Sequence, residues 1–510
     1  MRSNPIALAL FLALAVTGTA RAGEGTITLF HTNDLHSHYE AESVGRSGEE
    51  SLVGGFAALE ATLRRERETA AHSLYLDAGD FMTGTPLSDI DYEGARGGAI
   101  VAFYNLVGLD AQVLGNHEFD QTLENLDALI SLAEYPVLAA NLRRSDGSLY
   151  TGKAYETFTV GDVRVGVIGI TIDGLSSLMS ADKRAHLEID TGIETLVDLV
   201  DEVDGKSDLV VVLSHEGIDM DREIARVVDG IDVIVGGHSH TRLGEGEWVK
   251  GVLIVQAGSN AQWLGRADLV VRSDSLAGAE CRLVRADAEE AEPSAELADL
   301  VEVFQERIDD EYGYVIADAP SELGRCYFCE SDLGNWVTDR LREETGADVA
   351  LLNSGGIRQD IAAGPVTKLD IFEVLPFWNQ ICVFTCAGED LLTFALTNAI
   401  AEAEETHGIL QVSGLTYSWW QSPEGIKIHT AMVGGKPVDP AKSYKVASVD
   451  FVVESNADRY LGFVPKDLES LGVTLTSRVM DAAARLGTID RPLEDRIQRV
   501  EVDFAAPAGR

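Results

Sequence analysis

The chain has 510 residues, of which 45% are hydrophobic, a composition typical of globular proteins and a length sufficient for two or three domains. It carries 84 acidic and 40 basic residues, which gives a formal net charge of -44. Nucleic acids and anionic membranes bind surfaces rich in Lys and Arg, so this charge argues against either as the main partner.

The first 22 residues have the pattern of a secretory signal peptide. Arg2 precedes an apolar stretch at residues 6–16, and small residues lead to Ala22. The apolar stretch is shorter than the roughly 20 residues that a membrane-spanning helix needs, so we expect cleavage after Ala22. The final residues have no hydrophobic tail of the kind that signals a lipid anchor. A periplasmic or secreted protein without a membrane anchor is therefore expected.

Between about residues 25 and 270, short apolar runs alternate with amphipathic stretches. The runs, which predict strands, are residues 27–30, 74–76, 113–114, 165–170, 209–213 and 233–235. Residues 56–67 and 120–132 instead place apolar side chains at helical spacing. Strands that alternate with helices are typical of an α/β domain, in which sites form at the carboxyl ends of the strands.

Polar side chains suited to metal binding follow these apolar runs. They comprise two carboxylates, one carboxamide and four imidazoles: Asp34, His36, Asp80, Asn116, His215, His238 and His240. Such donors suit divalent ions of the Zn or Mn type, and Asp80 could bridge two of them. Two ions can lower the pKa of a bound water and neutralise charge on attacking and leaving oxygens. The sequence therefore predicts a two-metal centre for phosphate-ester hydrolysis.

The sequence changes character near residue 290, where acidic residues and alanine replace the apolar runs. Residues 294–310 carry one apolar stripe, which predicts a single helix. We expect a catalytic domain at residues 23–290, a linker helix within residues 291–313, and a second domain at residues 314–510. The second domain is predicted to mix strands with helices at residues 331–345 and 388–403.

The five cysteines allow one short disulfide loop. Cys326 and Cys329 are close enough in sequence to pair in an oxidising compartment. Cys382 and Cys386 lie in a predicted strand, where a separation of four residues spans roughly 13 Å, beyond the reach of a disulfide. An odd number of cysteines leaves at least one thiol free or paired with another chain.

These motifs resemble those of the calcineurin-like metallophosphoesterases. The longer pattern at residues 26–38, 113–120 and 231–240 is similar to the 5'-nucleotidase family, which contains bacterial periplasmic UDP-sugar hydrolases and animal ecto-5'-nucleotidases. The resemblance continues at residues 351–358 (LLNSGGIR), 375–379 (LPFWN) and 410–417 (LQVSGLTY). It implies a layered αββα metallophosphoesterase domain and a C-terminal α/β substrate-binding domain joined by a helix, α+β overall.

The resemblance also implies a role for each residue in the motifs. One metal would be held by Asp34, His36, Asp80 and His240, and the other by Asp80, Asn116, His215 and His238. His117 and Asp120 would form a catalytic dyad that stabilises the transferring phosphoryl group or the leaving oxygen. Asp120 also stands where the following helix needs an N-cap, and both roles could coexist.

The substrate contacts implied by the resemblance lie in the second domain. They are Asn353, Gly356, Arg358, Phe377, Phe451 and Asp458. The glycines before Arg358 allow close approach of the backbone to a ligand, and its planar guanidinium suits phosphate. Phe377 and Phe451 would hold a nucleobase between two rings, and Asp458 could accept ribose hydroxyls.

Two stretches depart from the family pattern. Residues 456–460 read NADRY where the family usually has Gly-Gly-Asp-Gly-aromatic, so the flexible glycines are missing. Tyr327 stands where the family commonly has an arginine, and Arg325 or Arg459 could take its place. Both departures concern the choice of substrate, not the hydrolytic chemistry.

The sequence thus predicts an extracytoplasmic dimetal phosphohydrolase that acts on nucleotides, a 5'-nucleotidase that could also hydrolyse UDP-sugars or nucleoside diphosphates. Two divalent metal ions, such as Zn or Mn, are the expected cofactors, and a nucleotide or another small phosphate ester is the expected partner. Alternatives within the superfamily are a 2',3'-cyclic-nucleotide phosphodiesterase and a thiosulfohydrolase-like enzyme. An alternative of another class is a non-catalytic extracellular nucleotide-binding protein. The oligomeric state stays open.

Overall fold

The structure is a computed structural model that describes residues 25–44, 51–272, 274–289 and 291–501. The expected signal peptide, residues 1–22, lies outside the described residues, so cleavage after Ala22 stays a prediction. Among the described helices, none combines the length and apolar character that crossing a bilayer requires.

The N-terminal half of the chain is built on two six-stranded sheets. In spatial order, the first contains Leu276–Arg285, Trp263–Val271, Gly25–Thr32, Ser73–Asp77, Ala111–Val113 and Val137–Leu138. The second contains Tyr155–Val160, Val163–Ile170, Leu209–Ser214, Val233–Gly236, Val252–Val255 and Glu247–Val249. In the first sheet, the last four of these strands run parallel, and two antiparallel strands extend the sheet at one edge only. In the second sheet, four parallel strands lie between an antiparallel strand at each edge. Within each sheet the parallel strands therefore end at the same edge.

The two sheets pack face to face between outer layers of helices. Leu29 and Leu76 of the first sheet share an apolar cluster with Val211 and Val235 of the second. Because the inner strands are buried on both faces, helices must cover the outer sides. Gly55–Arg67, Gly98–Val107 and Leu123–Leu132 cover the first sheet, and Gly192–Asp204 and Ile218–Val227 cover the second. This confirms the layered αββα arrangement predicted from the sequence.

One long helix, Ala295–Tyr312, connects the two halves of the chain. Ser294 caps it, since its side chain accepts a hydrogen bond from the backbone N–H of Leu297. Leu297, Phe304 and Ile308 are fully buried in the apolar cluster that also holds the helices of the first sheet. The connecting helix thus packs on the N-terminal domain, while the domain limits at residues 290 and 313 stay predictions.

The C-terminal domain contains a five-stranded and a four-stranded sheet. The larger sheet contains Leu410–Ser413, Val349–Asn353, Ser443–Val449, Gln380–Ala387 and Glu469–Thr474, and the smaller contains Lys436–Pro437, Gly425–Val433, Leu415–Ser422 and Ile497–Arg499. Their helices are Asp332–Thr345, Lys368–Val374, Gly388–Glu404, Ala457–Leu461 and Leu475–Leu486. Trp336, Phe394 and Trp419 are buried in the shared core. The predicted α/β character of this domain is confirmed.

Short paired strands and the cysteines complete the fold. The pairs are Glu42–Val44 with Ser51–Val53, Asp91–Tyr92 with Ala95–Arg96, Leu142–Arg144 with Leu187–Ile189, and Val315–Ala319 with Gly364–Thr367. Cys326 and Cys329 form a disulfide, whereas Cys382 and Cys386 stay free along one strand. Both outcomes agree with the spacing argument.

Candidate metal centre and substrate cavity

The predicted metal ligands lie on loops that follow five parallel strands of the N-terminal domain. Asp34, His36, Asp80, His238 and His240 all have positive φ, between 47° and 67°. The left-handed region costs a non-glycine residue roughly 1–2 kcal/mol. Strain of this kind persists only where the surrounding structure imposes it, and it concentrates at functional sites. The strained backbone at these five residues therefore identifies the loops as a candidate functional site.

The loops bring all seven predicted ligands together. Three groups each have their ligand atoms within 4.8 Å of one another: Asp34 with His36 and His240, His36 with Asp80 and His117, and Asp80 with His215 and His238. Asn116 joins the last group, since its Oδ1 lies 2.9 Å from Nδ1 of His238. Asp80 belongs to two groups and lies between them, which is where a bridging carboxylate would stand.

Hydrogen bonds to the imidazoles show that this cluster fits cations. Nδ1 of His215 lies 2.6 Å from the carbonyl oxygen of Ala78, so it donates, and Nε2 is left facing Oδ2 of Asp80 at 3.1 Å. Nδ1 of His36 likewise donates to the carbonyl oxygen of Thr83 at 3.0 Å, which leaves its Nε2 for the cluster. A lone pair that faces a buried carboxylate is unfavourable unless a cation or proton lies between them. The tautomers are therefore those expected of metal ligands.

The charge balance at the centre agrees with this interpretation. Asp34 and Asp80 are 0% and 2% exposed. In the described part of the chain their ion-pair partners are imidazoles, not Lys or Arg. Buried carboxylates need a compensating positive charge, and divalent ions would supply it.

His117 and Asp120 form the predicted dyad. Nδ1 of His117 donates to Oδ2 of Asp120 at 2.7 Å, and the hydroxyl of Thr83 donates to the same oxygen at 2.7 Å. Burial alone would lower the pKa of His117, but the carboxylates of Asp120 and Asp80 raise it to about 9. The expected N-cap role of Asp120 is wrong. Thr122 caps helix Leu123–Leu132 instead, because the side chain of Asp120 is turned toward His117.

Glu118 supports the centre, and the sequence patterns did not single it out. Its buried carboxylate accepts hydrogen bonds from the backbone N–H groups of Asp80, Phe81, Met82 and Gly115, at 2.6–3.2 Å. One side chain thus ties together the loops that carry Asp80 and Asn116. The sequence signal that could have identified Glu118 is its position directly after His117 in the motif.

Asn33 supports Asp34 in a similar way and was also missed. Its side-chain amide donates to Oδ2 of Asp34 at 2.5 Å and to the carbonyl oxygen of Gly258 at 2.6 Å. Its carbonyl oxygen accepts the backbone N–H of Ala257 at 2.8 Å. The backbone N–H of His238 completes the shell around the Asp34 carboxylate at 3.0 Å. The carboxylate is therefore oriented before any ion binds.

A cavity of about 940 Å³ opens over the centre, between the two domains. From the C-terminal domain, it is lined by Arg325, Tyr327, Asn353, Gly355, Arg358, Phe377, Phe451 and Tyr460, among others. Gly355, not the expected Gly356, reaches it. Gly356 is buried at the end of the short helix Ser354–Gly356, behind the lining. The cavity thus joins the metal centre to most of the expected substrate contacts.

Asp458 does not reach the cavity. It is exposed in the first turn of helix Ala457–Leu461, and Tyr460 from the same helix lines the cavity in its place. The stretch without glycines forms a helix here, which turns Asp458 outward. The expected ribose contact is therefore absent from the described arrangement.

The aromatic and arginine residues lie beside the dyad. The ring of Phe377 stacks on His117, with 6.0 Å between centroids, and the guanidinium of Arg358 lies 5.7 Å from the centre of the Phe377 ring. Desolvation and the nearby charge of Arg325 lower the pKa of Arg358. Phe451 stands in a short π-helix, Phe451–Ser455, a feature frequent at functional sites. The residues of the C-terminal domain that line the cavity, here called the substrate wall, therefore begin with the Phe377 ring, which lies against His117.

Comparison with known proteins agrees with this architecture. The family model "Calcineurin-like phosphoesterase" matches residues 27–242, and "5'-nucleotidase, C-terminal domain" matches residues 312–463. The first region contains the predicted ligands and the dyad, and the second contains Arg358, Phe377 and Phe451.

Individual relatives match over most of their length. A crystal structure of a 5'-nucleotidase precursor from Thermus thermophilus is 30% identical and covers 94% of this chain and 100% of its own, with a TM-score of 0.79. A snake venom 5'-nucleotidase from Gloydius brevicauda is 28% identical over 97% of this chain and 93% of its own. An apyrase from Tabanus yao is 27% identical over 84% of this chain and 85% of its own.

Proposed function

The chain belongs to the 5'-nucleotidase family of calcineurin-like metallophosphoesterases, which are metal-dependent hydrolases, and we propose that it releases phosphate from nucleotides outside the cytoplasm. The observation that carries the proposal is the convergence of the predicted ligands and the His117–Asp120 dyad on one cavity. That cavity also presents two arginines and two phenylalanines from the other domain. A phosphoryl group and an aromatic base would thus find partners in the same space.

Two ions are proposed because a single histidine cannot account for the rate acceleration that the reaction requires. One ion would be held by Asp34, His36, Asp80 and His240, and the other by Asp80, Asn116, His215 and His238. Enzymes accelerate phosphate-monoester hydrolysis by up to ~10²¹-fold, whereas a single general acid or base contributes about 10²–10⁴-fold. When bound, the ions would supply a water of lowered pKa and would neutralise charge on the phosphoryl oxygens.

His117 is proposed to stabilise the departing oxygen. Asp120 holds its Nδ1–H, so Nε2 is the ring nitrogen that remains available to the cavity. From there it can donate a hydrogen bond to a phosphoryl oxygen or to the leaving group. The carboxylate of Asp120 would favour the imidazolium form during this step.

Arg325 and Arg358 are proposed to bind phosphate from the C-terminal side. Both line the cavity, whereas Arg459 lies over the ring of Tyr460, at 5.8 Å, and is not among the lining residues. The geometry thus favours Arg325 over Arg459 as the substitute for the arginine that Tyr327 replaces. Guanidinium groups match phosphate oxygens with paired hydrogen bonds. In a chain with a net charge of -44, such local positive charge is what an anionic substrate requires.

Phe377 and Phe451 are proposed to hold the nucleobase. Stacking on an aromatic ring contributes roughly 1–3 kcal/mol per base and tolerates every base, because all of them have a π face. This part of the site therefore supports nucleotides as a class more than one base in particular.

The experiment is a substrate panel on the mature chain with added Mn²⁺ or Zn²⁺. AMP, ADP and UDP-glucose are compared with 2',3'-cyclic AMP and a sulfur ester, with products separated by chromatography. The proposal expects the 5'-nucleotides to give the highest kcat/KM. Faster cleavage of the cyclic or sulfur ester would reassign the substrate class. No turnover, together with much less than two bound ions per chain, would indicate a non-catalytic binding protein.

Export is proposed from the N-terminal pattern and is tested separately. N-terminal sequencing of the exported chain should begin at Gly23. Recovery of the whole chain in the cytoplasm would contradict export without affecting the catalytic proposal.

A further inference from the structure

Lys183 contacts the catalytic turn from a neighbouring segment. Its Nζ donates hydrogen bonds to the backbone carbonyl oxygens of Phe119 and Asp120, at 2.6 and 2.8 Å. It belongs to the short helix Ala181–Arg184. Lys183 is therefore linked directly to the residue that orients His117, although it lies more than sixty positions away in the chain.

These carbonyl groups stand where the backbone has few partners of its own. The short helix His117–Phe119 ends at Asp120, and the next helix begins only at Leu123. The last carbonyls of a helix lack partners within the helix, and a lysine can supply the missing donors. Lys183 provides them for two consecutive residues with one ammonium group. Removal of that group would release the end of the turn.

The bond to Asp120 bears on the chemistry because Asp120 has two attachments. Its backbone is held by Lys183, and its carboxylate is held between His117 and Thr83. A shift of its backbone would move the carboxylate, and with it the ring of His117. Displacement of a reacting group by about 1 Å can reduce a rate by about 10²-fold.

The segment that precedes Lys183 is anchored in the N-terminal domain. Leu175 of the preceding short helix, Asp173–Ser177, is fully buried in the apolar cluster of the N-terminal domain. The backbone N–H of Asp173 donates to the carboxylate of Glu216, at 3.1 Å, and Glu216 directly follows His215. The segment that precedes Lys183 is thus tied to a loop of the proposed metal centre.

Lys183 also faces the C-terminal domain. It lines a second cavity, of about 180 Å³, together with Asp120, Asp450 and Phe451. Burial lowers the pKa of Lys183, and the nearby carboxylates of Asp120, Asp450 and Asp182 partly offset this effect. The ammonium group therefore lies between the His117–Asp120 turn and Asp450, which directly precedes Phe451.

We propose that Lys183 is a positioning residue that holds the His117–Asp120 turn in its working geometry, a role that rests on the hydrolytic function proposed for the dyad. It does not touch the substrate, and it acts through the carbonyls of Phe119 and Asp120. Its loss should therefore reduce turnover while substrate affinity and metal binding persist.

The kinetic test compares three variants of the full chain, with Mn²⁺ and whichever phosphate ester the wild type cleaves best. Lys183→Met should lower kcat by about 10-fold or more, with KM and bound metal changed by less than about 2-fold. Lys183→Arg keeps the charge and donors and should recover most of kcat. Arg184→Met is the matched control, because Arg184 donates to the carbonyl oxygen of Ser176 within the same segment, at 2.9 Å.

A second readout does not depend on turnover. The proton on Nδ1 of His117, held by Asp120, should give a downfield NMR signal, assigned by its loss in His117→Ala. That signal should disappear or move in Lys183→Met and persist in Lys183→Arg and Arg184→Met. If wild-type protein cleaved no phosphate ester, the proposed function would fail while this arm still decided the positioning role.

Three results would overturn the role of Lys183. One is an unchanged His117 signal together with unchanged kcat in Lys183→Met. Another is an equal loss in Arg184→Met, which would mean that the whole segment matters and not the contact to the turn. Loss of bound metal in Lys183→Met would also reject it, since the defect would then lie in the metal centre.

Discussion

The metal centre and the substrate wall face each other across one cavity, but they are held in different ways. Asp34 and His215 are 0% exposed, and the ligand loops are tied by backbone hydrogen bonds to Glu118 and Asn33. On the wall, Tyr327 is 50% exposed. In the described part of the chain, the side chain of Arg358 donates one hydrogen bond, to the carbonyl oxygen of Gly355 at 3.3 Å. Under the proposed function, changes on the wall would alter substrate choice and leave in place the buried network that holds the metal ligands.

The largest effect is expected at Asp80, which belongs to two of the ligand groups. Asp80→Ala should abolish turnover and reduce bound metal below one ion per chain, because both proposed sites lose a carboxylate at once. Metal content by mass spectrometry and phosphate release are the measurements. Asp146→Ala, in an exposed turn, is the control and should change neither. Two ions retained by Asp80→Ala would contradict the shared site.

The next effect separates chemistry from metal binding. His117→Ala should lower kcat by about 10²–10⁴-fold, the usual contribution of a positioned acid or base, while both ions stay bound. His72→Ala, an exposed histidine, serves as the control. A rate for His117→Ala equal to that of the wild type would remove His117 from the mechanism.

Glu118 tests how far the rigidity of the centre depends on one side chain. Glu118→Gln replaces one acceptor oxygen by a donor that would face backbone N–H groups. An unsatisfied buried group costs about 1–3 kcal/mol, so the free energy of unfolding in urea should fall by that amount. Glu124→Gln, in the first turn of an adjacent helix, is the control. Unchanged stability together with unchanged metal affinity would show that the loops hold their shape without Glu118.

The smallest effect is expected on the wall. Arg325→Ala should raise KM for AMP by about 10-fold or more, since a hydrogen bond to a charged group contributes about 1.5–3 kcal/mol, and kcat and stability should stay close to wild type. Arg459→Ala, outside the cavity lining, should leave KM unchanged. The reverse pattern would assign the phosphate contact to Arg459.

Much of this architecture could be predicted from local patterns. The apolar runs before Asp34, Asp80 and His215 predicted parallel strands, and parallel strands place the residues after them at one edge of a sheet. The helices predicted at residues 294–310 and 331–345 begin within one residue of the observed helices, which Ser294 and Ser331 cap. These inferences needed only neighbours in the chain.

The errors and omissions arose where distant residues meet. Asp120 has the sequence position of a helix cap, but its side chain is bonded to His117 and Thr83. Asp458 keeps its place in the motif, yet a helix formed by residues 457–461 turns it outward. In the short helix Ser354–Gly356, Gly355 lines the cavity and Gly356 is buried behind it, an orientation that the motif alone does not specify.

The class of chemistry, metal-dependent hydrolysis of phosphate esters, could be inferred from residue types and spacing, because ligand type and strand-end position are local properties of the chain. Which side chains support the centre, and which line the cavity, became known only from the folded arrangement. The hydrogen bonds of Glu118 and Lys183, and the position of Arg325 in the cavity lining, depend on contacts between distant loops that no local pattern predicts. Such contacts are set by how the two sheets and the two domains pack, and a shift of one residue or one helical turn would exchange them.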